Sequence, residues 1–147
     1  PLYHDQTGHT ILLAKTPRRI VSIVPSQSEL LWDLGLSAEI KGISRFCIHP
    51  PEMFNSTARV GGTKKLNIKA IRALQPDLVI GNREENSREE IELLRQEFNV
   101  WMSDIVTIND AYAMMEQLGQ ITGHEDRAKE LVQRIRNNME FCKNMFS

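Results

Sequence analysis

Short β-branched segments alternate with helix-patterned ones along this chain, and only a few residues separate each from the next. That alternation leaves little choice of fold. "RRIVSIVP" has the continuous apolar character of a strand buried on both faces. "SQSELLWDLG" follows, with Ser26 and Glu29 at capping-box spacing, Leu30, Leu31 and Leu34 as an apolar face, and Gly35 as a stop. "EIKGIS" reads as the next strand, and "RVGGTKK" as a glycine turn. Asn67 is placed to cap "IKAIRALQ", Pro76 ends that helix, and "DLVIGN" is another buried strand. Ser87 and Glu90 suggest a second capping box over "REEIELLRQEF", and "VWMSDI" is strand-like. Before all this, a turn from Asp5 to Gly8 leads into a short strand near Thr10–Ala14.

Two helices are expected at the end. Asn109 starts "DAYAMMEQLGQIT" and Gly123 closes it. Beyond it, Ala128, Leu131, Val132, Ile135, Met139, Cys142 and Phe146 fall at three- and four-residue spacing, which describes one long amphipathic helix. Met114, Met115 and Trp32 are expected to be core residues. Strand and helix in alternation, joined by short connections, make an α/β fold with a parallel sheet flanked by helices. Such sheets bind ligands outside the carboxyl ends of their strands. Here those ends are "VPSQS", "SRFCIHPP", "GNREENS" and the loop after "VWMSD".

The candidate site residues therefore lie on that rim. In "RFCIHPP", Cys47 and His49 are soft-metal donor types, and alternation along an extended loop would put both on one face. A zinc site wants about four ligands, however, and no second pair accompanies them. The competing reading is a packed thiol beside a histidine bonded to backbone. Pro50 and Pro51 stiffen the loop, leaving Phe46 as an apolar contact and Arg45 as a charge for an anionic group. In "NREENSREE", helix capping accounts for Ser87, Glu89 and Glu90. Glu84, Glu85 and Asn86, next to Asn82, remain for oxygen ligation or hydrogen bonding, so His49, Glu84 and Glu85 form the candidate metal set. Gly61, Gly62, Thr63 and Lys64 could offer a backbone nest and an ammonium group to an anion, or could simply be a turn needing positive φ. "PSQS" could hold an anion at its helix N-terminus, but Ser26 is expected to be engaged as the cap.

Composition removes several classes of function. With a formal net charge of −1 there is no basic surplus for gripping a nucleic-acid backbone. No apolar run reaches membrane-span length, and two cysteines make no disulfide framework. A chain of 147 residues suits one domain. "PLYHDQTGHT" lacks the basic start and apolar run of a secretory signal, and Pro1 reads as the residue after a removed initiator Met. That favours synthesis without a secretory signal, with neither a cytoplasmic nor an extracytoplasmic location excluded.

The order "RIVSIVPSQSELLWDLG", "GISRFCIHPP", "VGGTKKLNIKAIRALQPDLVIGN" resembles the class III substrate-binding proteins of ABC importers, the helical-backbone metal receptors. The resemblance runs from about Arg19 to the end, and "DQTGHTILLAKTPRRIV" is similar to the family's N-terminal strand pair. It implies a Rossmann-like lobe over residues 1–123 and a long inter-lobe helix over 124–147, leading to a second lobe beyond this chain. It also implies a metal-chelate ligand (a corrinoid, a ferric siderophore or haem), a permease partner, a periplasmic or cell-surface location and no enzymatic activity.

Two departures stand out. Where family members that dock on an importer commonly carry a glutamate, this chain has Lys69. Positions that carry stacking aromatics in vitamin B12 binders hold Thr63 and Asn82, which leaves Phe46 as the aromatic. Two alternatives are a cytoplasmic metal- or cofactor-binding protein of the same fold not coupled to an importer, and a metal-dependent enzyme. No nucleophile–base pair or phosphate loop supports the enzyme. A receiver-domain reading fails on chemistry, since "VPSQS" and Asn82 stand where that phosphoacceptor site needs carboxylates.

Overall fold

The computed structural model describes residues 1–145, with side chains through residue 139, and separates into two compact units, Pro1–Asp104 and a second from Ile105 onward. In the first unit, β1 (Leu2–His4) and β2 (Thr10–Leu12) form an antiparallel hairpin. A five-stranded parallel sheet holds β3 (Ile20–Ser22), β4 (Ile40–Ile43), β5 (Ala58–Arg59), β6 (Leu78–Asn82) and β7 (Val100–Ser103). Its strand order is β5-β4-β3-β6-β7. Connections run one way from β3 and then the other, so the topological switch point lies between β3 and β6. The helices are α1 (Pro25–Asp33), α2 (Pro51–Ser56), α3 (Ile68–Leu74) and α4 (Arg88–Arg95). Every residue of β3, β6 and β7 is buried, as a sheet covered on both faces requires. Fully buried aliphatic side chains such as Ile20, Ile80 and Leu94 each stabilise the lobe by about 1.5–3 kcal/mol.

The helix–Pro–Asp–strand block is built as its residues dictate. Asn67 caps α3 by accepting from the Ala70 N–H at 3.0 Å. Gln75 takes the left-handed conformation (φ 48°) that turns the chain out of the helix, and Pro76 prevents its continuation. Asp77 then accepts from the N–H groups of Arg18 and Arg19 at 2.8 and 2.9 Å, which fixes the entry to β3 beside β6.

Three expected caps are corrected. α1 begins at Pro25, whose fixed φ and missing N–H suit the first helical position, so Val24 is the N-cap and Ser26 lies inside the helix. Ser87 is the N-cap of α4, but its side chain makes no capping bond. Glu90 accepts instead from the Leu66 N–H at 3.0 and 3.2 Å, so the second capping box is absent too. α5 (Ile108–Ile121) starts not at Asn109 but after Thr107, which forms a capping box with Asp110. The sequence reading also missed α2 and β5, elements too short to display a period.

The hairpin is pinned by one carboxylate. Asp5 accepts from the N–H groups of Thr7 and His9, each at 2.9 Å, from Met102 N–H at 3.2 Å, and from the Arg95 guanidinium at 3.0 Å. Burial pushes this carboxyl up, but Arg95 and the N–H groups of His9 and Thr7 outweigh that effect and hold it below its usual range. Gln6 N–H donates to Met102 O at 3.0 Å, so the hairpin turn covers the edge strand β7.

The second unit contains α5 and α6 (Glu125–Met145), with Gly123 at φ 77° between them. A Cβ on Gly119 would lie 2.3 Å from that of Ala128, so only glycine permits this approach of the two helices. Because α5 packs with α6, this unit begins well before the residue-123 boundary read from the sequence. Ala128 and Val132 of the expected apolar stripe are buried, whereas Ile135 and Met139 are exposed. Cys142 and Phe146 lie outside the described side chains. Of the other expected core residues, Met114 is buried while Trp32 and Met115 are half-buried. Among the described residues, no helix is long and apolar enough to cross a membrane.

Candidate functional site

Three loops at the carboxyl ends of the sheet, spanning residues 44–50, 60–67 and 83–87, form a continuous rim. The first is moored through its thiol. Cys47 is fully buried, with Sγ 3.1 Å from Ser28 Oγ and 3.2 Å from Ser44 Oγ. Its neighbours point the other way: Phe46 and Ile48 are 51% and 52% exposed, and His49 is exposed as well. Cys47 and His49 therefore do not share a face. The loop turns at Ser44–Cys47 instead of running extended, through the bond from Cys47 N–H to Ser44 O at 3.1 Å, and that turn drives the thiol inward. Cys47 is thus withdrawn as a ligand-contacting residue. The Arg45 guanidinium sits over the Phe46 ring at 4.9 Å from its centroid.

The glycine turn packs against this pair. Gly61 has φ +98°, and a Cβ on Gly62 would come 3.4 Å from Phe46 and 3.5 Å from Arg45. Gly62 N–H donates to Lys65 O at 3.0 Å, so this member of the expected nest is spent within the turn. Lys64 extends its ammonium to the carbonyl of Glu84 and, at 3.4 Å, to that of Asn86.

The third loop is organised by two asparagines. Asn82 Oδ1 accepts from the N–H groups of Glu84 and Glu85 at 2.9 and 3.1 Å, and its amide donates to Ser103 Oγ at 2.9 Å. Asn86 Oδ1 accepts from Asn82 N–H at 2.9 Å, while its Nδ2 donates to Thr63 O at 2.8 Å. Both asparagine side chains are buried and committed, so they shape the rim without facing a ligand. Glu84 and Glu85 are exposed.

The rim thus presents Arg45, Phe46, His49, Lys64, Glu84 and Glu85 outward, with Thr63 half-buried among them. No group of three His, Cys, Asp or Glu side chains able to hold a metal ion forms among the described residues. The set His49, Glu84 and Glu85 accordingly does not assemble as a metal centre; the loops bring these residues onto one rim without convergence. The surface suits a ligand bound through apolar and charged contacts at its periphery.

Beneath the rim, Gln27 and Ser103 are buried and donate and accept across the switch point, and Ser22 and Ser28 are bonded at 2.7 Å. The sequence reading assigned Ser22 and Ser103 no role, and took Gln27 and Ser28 only as part of the "PSQS" helix N-terminus that could hold an anion. The one available signal was polar residues inside otherwise apolar strand ends, which a single sequence does not separate from ordinary loop polarity.

A separate recess of about 530 Å³ lies between the hairpin turn and α4, lined by residues including Thr7, His9, Arg83, Arg88 and Arg95. Its three arginines are answered by Asp104, Glu92 and Asp5 respectively. The recess is electrically balanced and makes the weaker candidate.

The comparisons with known proteins agree with this architecture. An uncharacterized ABC transporter substrate-binding lipoprotein, YvrC, of Bacillus subtilis (strain 168) is 26% identical, over 92% of this chain and 44% of its own. A vitamin B12-binding protein of Pectobacterium carotovorum subsp. carotovorum (strain PC1) is 27% identical, over 77% of this chain and 41% of its own. The crystal structure of the iron uptake ABC transporter substrate-binding protein PiuA from Streptococcus pneumoniae Canada MDR_19A superposes with a TM-score of 0.87 at 19% identity. It covers 100% of this chain and 55% of that one. The chain spans about half the length of the curated relatives it matches. The family model for periplasmic binding proteins matches residues 20–146, and the chain belongs to that family.

Proposed function

We propose that this chain supplies one lobe and the connecting helix of an ABC-importer substrate-binding protein, and that its rim contacts a metal chelate: a corrinoid, a ferric siderophore or haem. The observation that carries the proposal is the contiguous outward set Arg45, Phe46, His49, Lys64, Glu84 and Glu85 at the carboxyl ends of the strands. Support comes from relatives whose names specify vitamin B12 binding and iron uptake. Binding is reversible and non-covalent. Phe46 and Ile48 offer apolar area, and Arg45 offers a charge held in place by the ring beneath it. Binding without chemistry is the reading that membership in a family of binding proteins supports. A second lobe in the longer protein would supply the rest of the ligand's contacts.

Docking on a permease is the less favourable part of the function. Lys69 is exposed in the first turn of α3, where its charge also opposes the helix dipole. A permease presenting arginines to this position would be repelled. We infer weak coupling to a permease of that charge pattern.

The test is a titration of the full-length protein with hemin, cyanocobalamin and a ferric tris-catecholate chelate, followed by absorbance. At least one probe binds, and Phe46→Ala weakens it without lowering the melting temperature. Failure of all three probes to bind would refute the chelate reading.

A further inference from the structure

Four hydrogen-bonded pairs join the 60–67 loop to the 83–87 loop and α4, between partners 20 to 24 positions apart in the sequence. Asn86 Nδ2 donates to Thr63 O at 2.8 Å. Lys64 Nζ donates back to the carbonyls of Glu84 and Asn86. Leu66 N–H donates to the Glu90 carboxylate at 3.0 Å. Asn86 is the member that faces both ways. Its Oδ1 closes its own loop onto Asn82 N–H at 2.9 Å while its Nδ2 crosses to the other loop, and its side chain is buried. The backbone leaves this amide little freedom, because a Cβ on Gly81 would lie 2.6 Å from Asn86 Oδ1.

We propose that Asn86 is a positioning residue: it clasps the two rim loops into one rigid unit, so that Lys64, Glu84 and Glu85 are already in place when a ligand arrives. The ligand-facing part of this inference rests on the function proposed above. Loops ordered in advance need not be ordered at the moment of binding, which would otherwise weaken the complex and hasten its dissociation. Asn86 itself touches no ligand in this scheme. The bond to Thr63 O uses a donor that aspartate lacks, so the two halves of the clasp can be separated by substitution.

The experiment is amide hydrogen exchange on the full-length protein with Asn86→Ala and Asn86→Asp, read at Gly62, Leu66 and Asn82 against Val21 and Ile80 in the sheet. Asn86→Ala accelerates Gly62, Leu66 and Asn82 together, by roughly tenfold, with Val21 and Ile80 unchanged. Asn86→Asp keeps the acceptor for Asn82 N–H, so it accelerates Gly62 and Leu66 while Asn82 stays protected. If Asn86→Ala fails to fold, Asn86→Asp carries the same readout. Acceleration confined to Asn82, or equal acceleration at Val21 and Ile80, overturns the clasp. The dissociation rate of whichever chelate binds in the titration should rise roughly tenfold in Asn86→Ala, an effect of lost preorganisation. An unchanged rate with loosened loops overturns the positioning role. If no chelate binds, the functional proposal fails on its own, and the exchange rates still decide whether Asn86 holds the loops together.

Discussion

The hairpin edge of the sheet and the 44–50 loop treat polar groups in opposite ways. At the edge, Asp5 is wholly buried and gathers three elements around one carboxylate: its own turn, α4 through Arg95, and β7 through Met102 N–H. Its pair with Arg95 is sheltered, with side-chain exposures of 0% and 19%. In the loop, the buried polar groups are the Cys47 thiol and the Ser44 hydroxyl beside it, both uncharged, while Arg45, Phe46, Ile48 and His49 are held outward. A buried charge must be fully satisfied or it costs more than it contributes, so the first region tolerates no loss. The second gains nothing by exposing Phe46 and Ile48 to water. Exposed apolar side chains on a stiff loop signal a surface kept for contact.

The largest effect that could break this contrast is at the hub. Asp5→Ala should cost about 3–5 kcal/mol of folding free energy in urea denaturation, since it leaves the half-buried Arg95 without its counter-ion and the N–H groups of Thr7, His9 and Met102 without their acceptor. Chelate binding by the fraction still folded should be unchanged. A loss under about 1 kcal/mol would put Asp5 in the same class as surface pairs. Acid should find the same point. A carboxyl held below its ordinary value of 3.8 contributes stability above that value and loses it as pH falls through the depressed one. Denaturation midpoints should therefore drop below about pH 4 in the wild type, and more shallowly in Asp5→Asn.

Within the loop, Cys47→Ser should have a moderate effect, costing about 1 kcal/mol because a more polar hydroxyl enters a buried site already holding two serines. Chelate affinity should scarcely move, which calorimetry would check. Phe46→Ala and His49→Ala should invert that pattern: stability changes within about 0.5 kcal/mol, with roughly tenfold weaker chelate binding. If His49→Ala unfolds the lobe and leaves affinity intact, the histidine belongs with the hub. Smallest of all, Lys69→Glu should stabilise α3 by a few tenths of a kcal/mol through the helix dipole, on the order of 0.3. In pull-down with an arginine-bearing permease it should strengthen association, and weakened association would reverse the assigned role of this position.

Much of the layout was legible because it depends on local chemistry. Buried parallel strands announce themselves as unbroken apolar runs, and Pro76 and Gly123 stop helices through their own backbone constraints. The rim loops followed from that layout, and Arg45, Phe46, His49, Lys64, Glu84 and Glu85 were found from it. Caps were less legible. Ser26 with Glu29 and Ser87 with Glu90 both match a capping pattern, yet neither forms one, since Pro25 claims the first helical position and Glu90 reaches Leu66 in another loop. A pattern of spacing cannot register a competing partner twenty or more residues away.

What the sequence by itself determined is the alternation of elements, the parallel sheet and the place of the rim, because hydrophobic period and turn chemistry act over a few residues. What only the tertiary structure decided is which polar side chains work inward. Cys47 and Asn86 sit among exposed neighbours in the sequence, and their direction is set by Ser28 and Thr63, which belong to other segments of the chain. A side chain turns inward when the fold brings it a hydrogen-bonding partner and closes water out, and neither condition exists until the strands have assembled.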